Sequence, residues 1–287
     1  MTHNLFGYGL LFQSDVVIPG ALPAENVPPN IRPVIVERLS DAEAVGYEQP
    51  IYRLDGGGIV FSPPALGNFH IRRDHIGISL FPDADSEYAV ALLVATALPA
   101  LLWLRGAFML HAAGVILPGE DAVTAIAGIS GAGKSTIAAA LLRDGAKLVG
   151  DDSLCLTLQG ERVSVSGLPG GLFLAGPKDR IFLPTRPDQV SEGGMLARIL
   201  FLRDVGEGEG DAIKRIEALE ATELLLTNRH RPTVPTLLGQ HRFVLQSAAQ
   251  LFKSVPLLSW SRCKGELAVD PERFRDKVAQ AISGDSR

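Results

Sequence analysis

The chain has 287 residues, 46% of them hydrophobic, with 27 basic and 32 acidic side chains and a formal net charge of −5. This length allows one large domain or two modest ones, and the apolar content supports a sizeable core and excludes global disorder. The acidic balance speaks against a nucleic-acid partner, which normally meets a basic excess, and against an electrostatic membrane anchor. Two cysteines, Cys155 and Cys263, are too few for a disulfide framework or a four-ligand zinc site. Two reduced thiols, and a Met1–Leu11 stretch without a signal-peptide pattern, lead us to expect a cytoplasmic protein.

Residues 1–85 read as a β-rich N-terminal region. Apolar runs fall at Leu10–Phe12, Val16–Ile18, Pro33–Val36 and Ile59–Phe61, with a partly alternating run at Ile71–Phe81. Between them lie Pro19-Gly20, Pro28-Pro29, Gly56-Gly57-Gly58 and Pro63-Pro64, a pattern that predicts small antiparallel strands joined by turns. His70 and His75, with Arg72 and Arg73 between them, suit a surface patch better than a metal site. Tyr88–Trp103 is almost wholly apolar, yet it falls short of the roughly 20 residues of a membrane span and contains Pro99. We expect a buried helix near 87–105, kinked or broken at the proline, and no membrane partner.

Residues 86–287 form the second region. Phe108–Leu117 and Ala122–Ala127 are strand-like, and Thr136–Arg143 is rich in helix formers and stopped by Gly145. Lys147–Gly150 is a short strand ending in Asp151-Asp152, followed by strands over Ser153–Leu158 and Arg162–Ser166. Ala197–Leu202 is another apolar run. Asp204–Asp211 is acidic and glycine-rich and predicts an exposed loop, while Ile213–Asn228 and Asp270–Ile282 have helical spacing.

The strongest signal is Gly128-Ile129-Ser130-Gly131-Ala132-Gly133-Lys134-Ser135, which satisfies G-x-x-x-x-G-K-[ST] between an apolar strand and a helix. Glycines let the backbone turn tightly and aim N–H groups at phosphate oxygens, and the helix N-terminus adds a positive dipole end. Lys134 can reach the β- and γ-phosphates, and Ser135 can offer its hydroxyl to Mg²⁺. The expected nucleotide contacts are Gly128, Ser130, Gly131, Ala132, Gly133, Lys134, Ser135 and Thr136. The loop alone leaves kinases, ATPases, GTPases and transporters open.

Asp152 lies seventeen residues after Ser135, the length of a helix, a turn and a short strand. Ends of neighbouring strands share the carboxyl edge of an α/β sheet, so Asp151-Asp152 should approach the loop. One carboxylate can then help hold Mg²⁺, where we place Asp151, and the other can accept a proton from an attacking hydroxyl. Asp204 is a rival acidic residue after an apolar strand. His111, alone among apolar residues from Met109 to Val115, reads as structural on the sequence pattern alone.

Together, Leu110-His111, GISGAGKST and Leu148-Val149-Gly150-Asp151-Asp152 resemble the bacterial HPr kinase/phosphorylase group. The resemblance is firm over residues 108–153 and looser over 154–287, where Gly167-Leu168-Pro169-Gly170 and Ile199–Leu202 look like later elements. Phe6-Gly7-Tyr8-Gly9-Leu10 and Leu22-Pro23 are similar to the opening of shorter members, some of which accompany peptide-modification clusters. The resemblance implies an α/β P-loop kinase core similar to that of phosphoenolpyruvate carboxykinase. It also implies ATP and Mg²⁺ as cofactors, Asp152 as proton acceptor, Lys134 and His111 as catalytic residues, and Ser135 on the metal. The implied partner is a protein or peptide with an acceptor serine, either a precursor peptide or an HPr-like protein. Two departures stand out: Ser164–Leu174 holds no acidic residue where the family has a glutamate, and the family's later arginine could match Arg180, Arg186 or Arg198. The leading expectation is an ATP-dependent serine kinase. A kinase for a small hydroxylated metabolite and a non-catalytic ATP-binding regulatory module are the other readings, and a homo-oligomer is left open.

Overall fold

Eight strands precede the first helix: His3–Gly7 (β1), Leu10–Ser14 (β2), Leu22–Pro23 (β3), Val34–Arg38 (β4), Tyr52–Asp55 (β5), Gly58–Phe61 (β6), Gly67–Ile71 (β7) and His75–Leu80 (β8). The computed structural model describes residues 1–25, 30–40, 51–175, 180–205, 212–263 and 271–283. The turn at Pro28-Pro29 and residues 206–211 of the acidic loop lie outside this set. The eight strands form one sheet in the order β3-β1-β2-β4-β8-β7-β6-β5. It is mixed rather than antiparallel throughout, because β2 pairs with β4, and β4 with β8, in parallel.

Two local expectations change. Val16–Ile18 is not a strand; Val16 and Ile18 are buried as part of a connection that the Ser14 hydroxyl organises by accepting from the Val16 N–H. The run Ile71–Phe81 divides into β7 and β8 around a turn in which the Arg72 N–H donates to His75 O. His75 Nε2 lies 3.0 Å from Glu37 Oε1, a pairing on the sheet rather than a metal site.

The apolar helix comprises Ser86–Leu92 (α1), a π-helical turn at Leu93–Ala97, and Leu98–Leu104 (α2). Asp85 caps it, accepting from the N–H groups of Glu87 and Tyr88. It runs through Pro99 without a break. A proline here cannot donate to Ala95 O and its ring would crowd that carbonyl. The helix widens instead, with the Leu98 N–H reaching Leu93 O, and Arg231 Nε donates to Ala95 O at 2.6 Å. By length and composition Ser86–Leu104 could cross a membrane, at mean hydropathy 1.8, but 61% of that window is buried inside the fold. Leu93, Ala97, Leu98, Ala100, Leu101 and Trp103 are all completely covered, as in a core helix.

The second sheet begins with Phe108–Leu110 (β9), Ala112–Ile116 (β10) and Val123–Ala127 (β11), followed by helix Lys134–Arg143 (α3) and Lys147–Gly150 (β12). Leu154–Gln159 (β13) and Arg162–Ser166 (β14) come next, then a separate hairpin of Gly171–Ala175 (β15) and Arg180–Pro184 (β16). Gly194–Val205 (β17), Ala212–Arg215 (β18), Ala218–Thr227 (α4), Thr233–Leu237 (α5), His241–Ser254 (α6), Leu257–Cys263 (β19) and Pro271–Ser283 (α7) complete the chain. The order is β12-β10-β11-β17-β14-β13-β9, with β19 against β17 and β18 against β19.

Three readings of this half are corrected. Phe108–Leu117 is two strands that break at His111, because β9 pairs with β13 whereas β10 pairs with β11 and β12. Ile213 starts no helix; it lies in β18 beside β19, and the helix begins at Ala218. Asp204 continues β17 opposite Arg262 rather than opening a loop.

Alternate residues of the second sheet feed two apolar layers, as the period of two requires. Val123, Ala125, Ala127, Ile199 and Phe201 join a core that extends through α1 and α2 to Phe12, Val36 and Ile76 of the first sheet. Ile126, Leu200 and Leu202 face the opposite layer with Ile137 and Leu141 of α3 and Phe274 of α7. One contiguous core therefore joins residues 1–85 to the remainder.

The topology gathers the sequence motifs on one sheet edge. β11 and β12 are not neighbours; β10 lies between them and is antiparallel to both, so their carboxyl ends point the same way. Since β10 runs the opposite way, its start is on that same edge, with Ala112 opposite Ala127. The residues just outside these three ends are His111, Gly128 and Asp151. Gly150 permits the approach of the next layer: a Cβ there would lie 2.9 Å from Gly167 Cα and 3.0 Å from Leu168 N. Gly150→Ala should therefore destabilise the fold by about 1–3 kcal/mol, read as a lower urea midpoint with unchanged slope. An unchanged midpoint would contradict this packing.

Candidate functional site

The glycine-rich loop Gly128–Ser135 spans the end of β11 and the first turn of α3. Gly131 (φ +83°) and Gly133 (φ +93°) take the left-handed conformations that let the chain turn into the helix. Ile129, Ser130 and Gly131 are exposed, Ala132 is buried, and Thr136 is half-buried on α3. Lys134 is 6% exposed and folds back over the loop, donating to Gly128 O at 2.8 Å and Ile129 O at 3.1 Å. Its Nζ also lies 2.9 Å from His111 Nε2. The ammonium thus sits inside the loop, where arriving phosphate oxygens can replace carbonyl partners.

Asp151 meets the loop at Ser135, whose Oγ donates to Asp151 Oδ1 at 2.9 Å. Asp151 Oδ2 accepts from the Phe173 N–H at 2.9 Å. Burial raises the Asp151 carboxyl above its ordinary range, against the lowering effect of these two hydrogen bonds. A buried carboxylate beside a hydroxyl is a hard-oxygen pair of the kind that suits Mg²⁺.

Asp152 has φ +67°, uncommon for a residue other than glycine, and the Ser153 N–H donates across it to Asp151 O at 2.8 Å. A bond from i to i+2 over a positive φ is the strained form of the γ-turn, and such strain gathers at functional sites. Surrounding contacts hold the turn. Tyr8 OH lies 2.6 Å from Ser153 Oγ, and the Tyr8 N–H donates to Gly167 O. Burial keeps the Tyr8 phenol well above its usual pKa, so it remains a neutral partner. The N-terminal region thereby clamps the segment that bears both aspartates.

Two histidines flank the Asp152 carboxylate. His111 Nδ1 is 3.8 Å from Oδ1 and His230 Nε2 is 3.6 Å from Oδ2, and the two rings stack at 5.5 Å and 14°. No motif in the sequence marks His230. It arrives because segment 228–230 adds to the edge of β9: the His111 N–H donates to Asn228 O, and the His230 N–H to Met109 O. Trp103 Nε1 fixes the His230 carbonyl at 2.9 Å. The only signal in the sequence was the run Asn228-Arg229-His230-Arg231-Pro232, where polar residues interrupt two apolar helices.

His111, Asp152 and His230 place their ligand atoms within 4.8 Å of one another, as a metal site would. The hydrogen bonds argue for a different arrangement. His111 Nδ1 is 2.8 Å from Asp152 O, a carbonyl that can only accept, so Nδ1 carries the proton and Nε2 faces the Lys134 ammonium. Neither nitrogen then offers a lone pair towards Asp152. Near-parallel rings likewise do not converge on one ion.

Burial lowers the His230 pKa from 6.5 to about 3, only partly opposed by Asp152. The unfolded chain binds a proton below pH 6.5 that the folded chain refuses until about pH 3. This contribution to stability is complete above pH 6.5 and is lost as pH falls through that window. Chemical unfolding should show a loss of about 2 kcal/mol between pH 6.5 and 5 that His230→Gln largely abolishes. Equal pH slopes in both proteins would contradict the neutral, buried histidine.

Two of the candidate arginines make their ion pairs elsewhere. Arg198 sits opposite Thr124, towards the start of β11 and away from the loop, and bonds Glu120 at 2.9 Å. Arg186 pairs with Asp188 at the surface. The side chains of Arg180, Asp204 and Cys263 lie outside the described residues, while Cys155 is a buried free thiol whose pKa burial raises to about 11.

No family model matches the chain, and no curated protein matches it. Among solved structures 99 chains match. One is the Hpr(Ser) kinase/phosphatase from Coxiella burnetii, 15% identical, with the match covering 61% of this chain and 96% of that one at a TM-score of 0.38. An overlap of that quality is too loose to assign the chain to a family.

Proposed function

We propose that this chain is an ATP-dependent kinase that transfers the γ-phosphoryl group to a serine hydroxyl of a protein or peptide. The observation that supports it most is the hydrogen bond from Ser135 to Asp151, which brings the aspartate pair onto the phosphate loop. In this reading the loop N–H groups and Lys134 hold the triphosphate. Ser135 and Asp151 are the residues that would hold Mg²⁺, whose positive charge offsets the negative charge on the phosphate oxygens. Asp152 accepts the proton as the serine oxygen bonds to the γ-phosphorus, and the bond to the β-phosphate oxygen breaks to release ADP. His111 bridges Lys134 and the Asp152 backbone, and so fixes the distance between donor and acceptor groups. Positioning and electrostatics supply most of the rate in such a site.

The test is incubation with γ-labelled ATP, Mg²⁺ and a pool of serine peptides, followed by phosphoamino-acid analysis. The expected product is phosphoserine in peptide. Label transferred to sugars or nucleosides and to no peptide would overturn the reading.

A further inference from the structure

A cavity of about 200 Å³ opens beside the aspartate pair, and nothing in the donor half of the site uses it. One wall is the outer face of the apolar helix, presenting Ala91, Val94 and Ala95. The N-terminal region supplies Pro19, and the segments after β14 supply Leu168 and Phe173. Asp151, Asp152 and Ser153 form the remaining polar surface, on the side towards the phosphate loop.

The wall is built to stay in place. Arg231, next to His230, donates to Ala95 O in the π-turn, so the helix face and the Asp152 surroundings share one support. The Gly170 N–H donates to Gly20 O, and Gly170 lies so close to Gly20 that a Cβ would meet that oxygen at 2.9 Å. This ties the Pro19-Gly20 side to the segment that carries Leu168.

We propose that this cavity is the acceptor subsite, and that it takes one uncharged apolar residue adjacent in sequence to the hydroxyl-bearing residue of a peptide. The inference rests on the kinase reading and adds the class of acceptor to it. A space of this size falls below the roughly 300–1,000 Å³ of pockets that enclose whole small-molecule ligands. A sugar or polyol would bring several hydroxyls against alanine, valine, proline and leucine, where each unpaired group costs about 1–3 kcal/mol. An acidic side chain would lose its water and meet the two aspartates, and a basic one that paired with Asp152 would occupy the carboxylate that the hydroxyl needs. A single apolar side chain loses nothing there and places the neighbouring hydroxyl at Asp152. This gives residues 1–85 a function in the site, since they close one side of the acceptor cavity.

The experiment uses the full chain and peptides with one central serine, flanked by leucine, valine, aspartate or lysine. Two quantities are read: phosphoserine formation with Mg²⁺-ATP, and binding of matching peptides in which alanine replaces the serine. Ala91 is exposed on the helix, so Ala91→Phe fills the cavity from outside with little demand on folding. The expected result is a preference of about tenfold or more for apolar flanks, with a similar loss in Ala91→Phe and no change in ATP affinity. Ala91→Glu should shift the preference towards lysine-flanked peptides, which a loss of folding cannot imitate. Equal use of all flanks, with Ala91→Phe as active as the parent, would overturn the subsite while leaving the kinase reading intact. Binding of apolar serine-free peptides that Ala91→Phe abolishes, with no transfer to any serine peptide, would support the subsite and overturn the kinase reading.

Discussion

Asp152→Asn should lower kcat for phosphoryl transfer by about 10²–10⁴-fold while leaving ATP affinity unchanged. Asparagine keeps the size of the side chain and tolerates a positive φ at least as well as aspartate, so the turn should persist. What disappears is the negative oxygen that we propose as the acceptor of the serine proton. Asp152 also sits between the edges of two imidazoles, His111 and His230, at 3.8 and 3.6 Å. If those rings serve to orient the carboxylate, His230→Gln should lower kcat by less than Asp152→Asn and leave KM for ATP in place. Full activity in Asp152→Asn would remove the residue from the mechanism.

Lys134→Ala is the second large effect. The ammonium makes two hydrogen bonds to loop carbonyls and a third contact to His111, all at 2.8–3.1 Å. Charge-assisted hydrogen bonds to phosphate contribute about 1.5–3 kcal/mol, so triphosphate affinity should fall by about 10–100-fold. The discrimination between ATP and AMP should shrink, because the proposed partners of the lysine are the outer phosphates. Loss of Lys134 also takes away the cation facing His111, so kcat should fall along with affinity. Unchanged ATP binding by titration calorimetry would contradict the loop assignment.

The position of the glycine loop was legible because its signal is local. Eight consecutive residues set the loop between β11 and α3, and the geometry around Gly131, Gly133, Lys134 and Ser135 follows from their own backbone and side-chain types. The aspartate pair was also within reach, since seventeen residues leave space for little more than one helix and one strand. The route by which it arrives was not legible: an antiparallel strand, β10, separates the two carboxyl ends. That same strand brings His111 to the edge, and its break from β9 was hidden in a run of apolar residues.

Long-range pairing explains the rest. His230 reaches Asp152 only because segment 228–230 pairs with β9, more than a hundred residues earlier in the chain. Pro99 suggests a kinked or broken helix, and local propensity does not foresee that Arg231 satisfies Ala95 O and that a π-turn absorbs the ring. Ile213 to Arg215 carry helix-compatible spacing, yet β19 offers an open edge, and pairing there wins over propensity. The cavity beside the aspartates was invisible for the same reason, since Pro19, Ala91 and the Leu168–Phe173 stretch come from three distant segments.

The most direct test is a crystal structure with Mn²⁺ in place of Mg²⁺ and a non-hydrolysable ATP analogue, read by anomalous scattering. The account predicts one Mn²⁺ peak within ligand distance of Ser135 Oγ and Asp151. It also predicts the γ-phosphate on Lys134, with Asp152 facing it from the side of the apolar cavity. A nucleotide bound away from Gly128–Ser135, or a metal held by His111, Asp152 and His230, would contradict it.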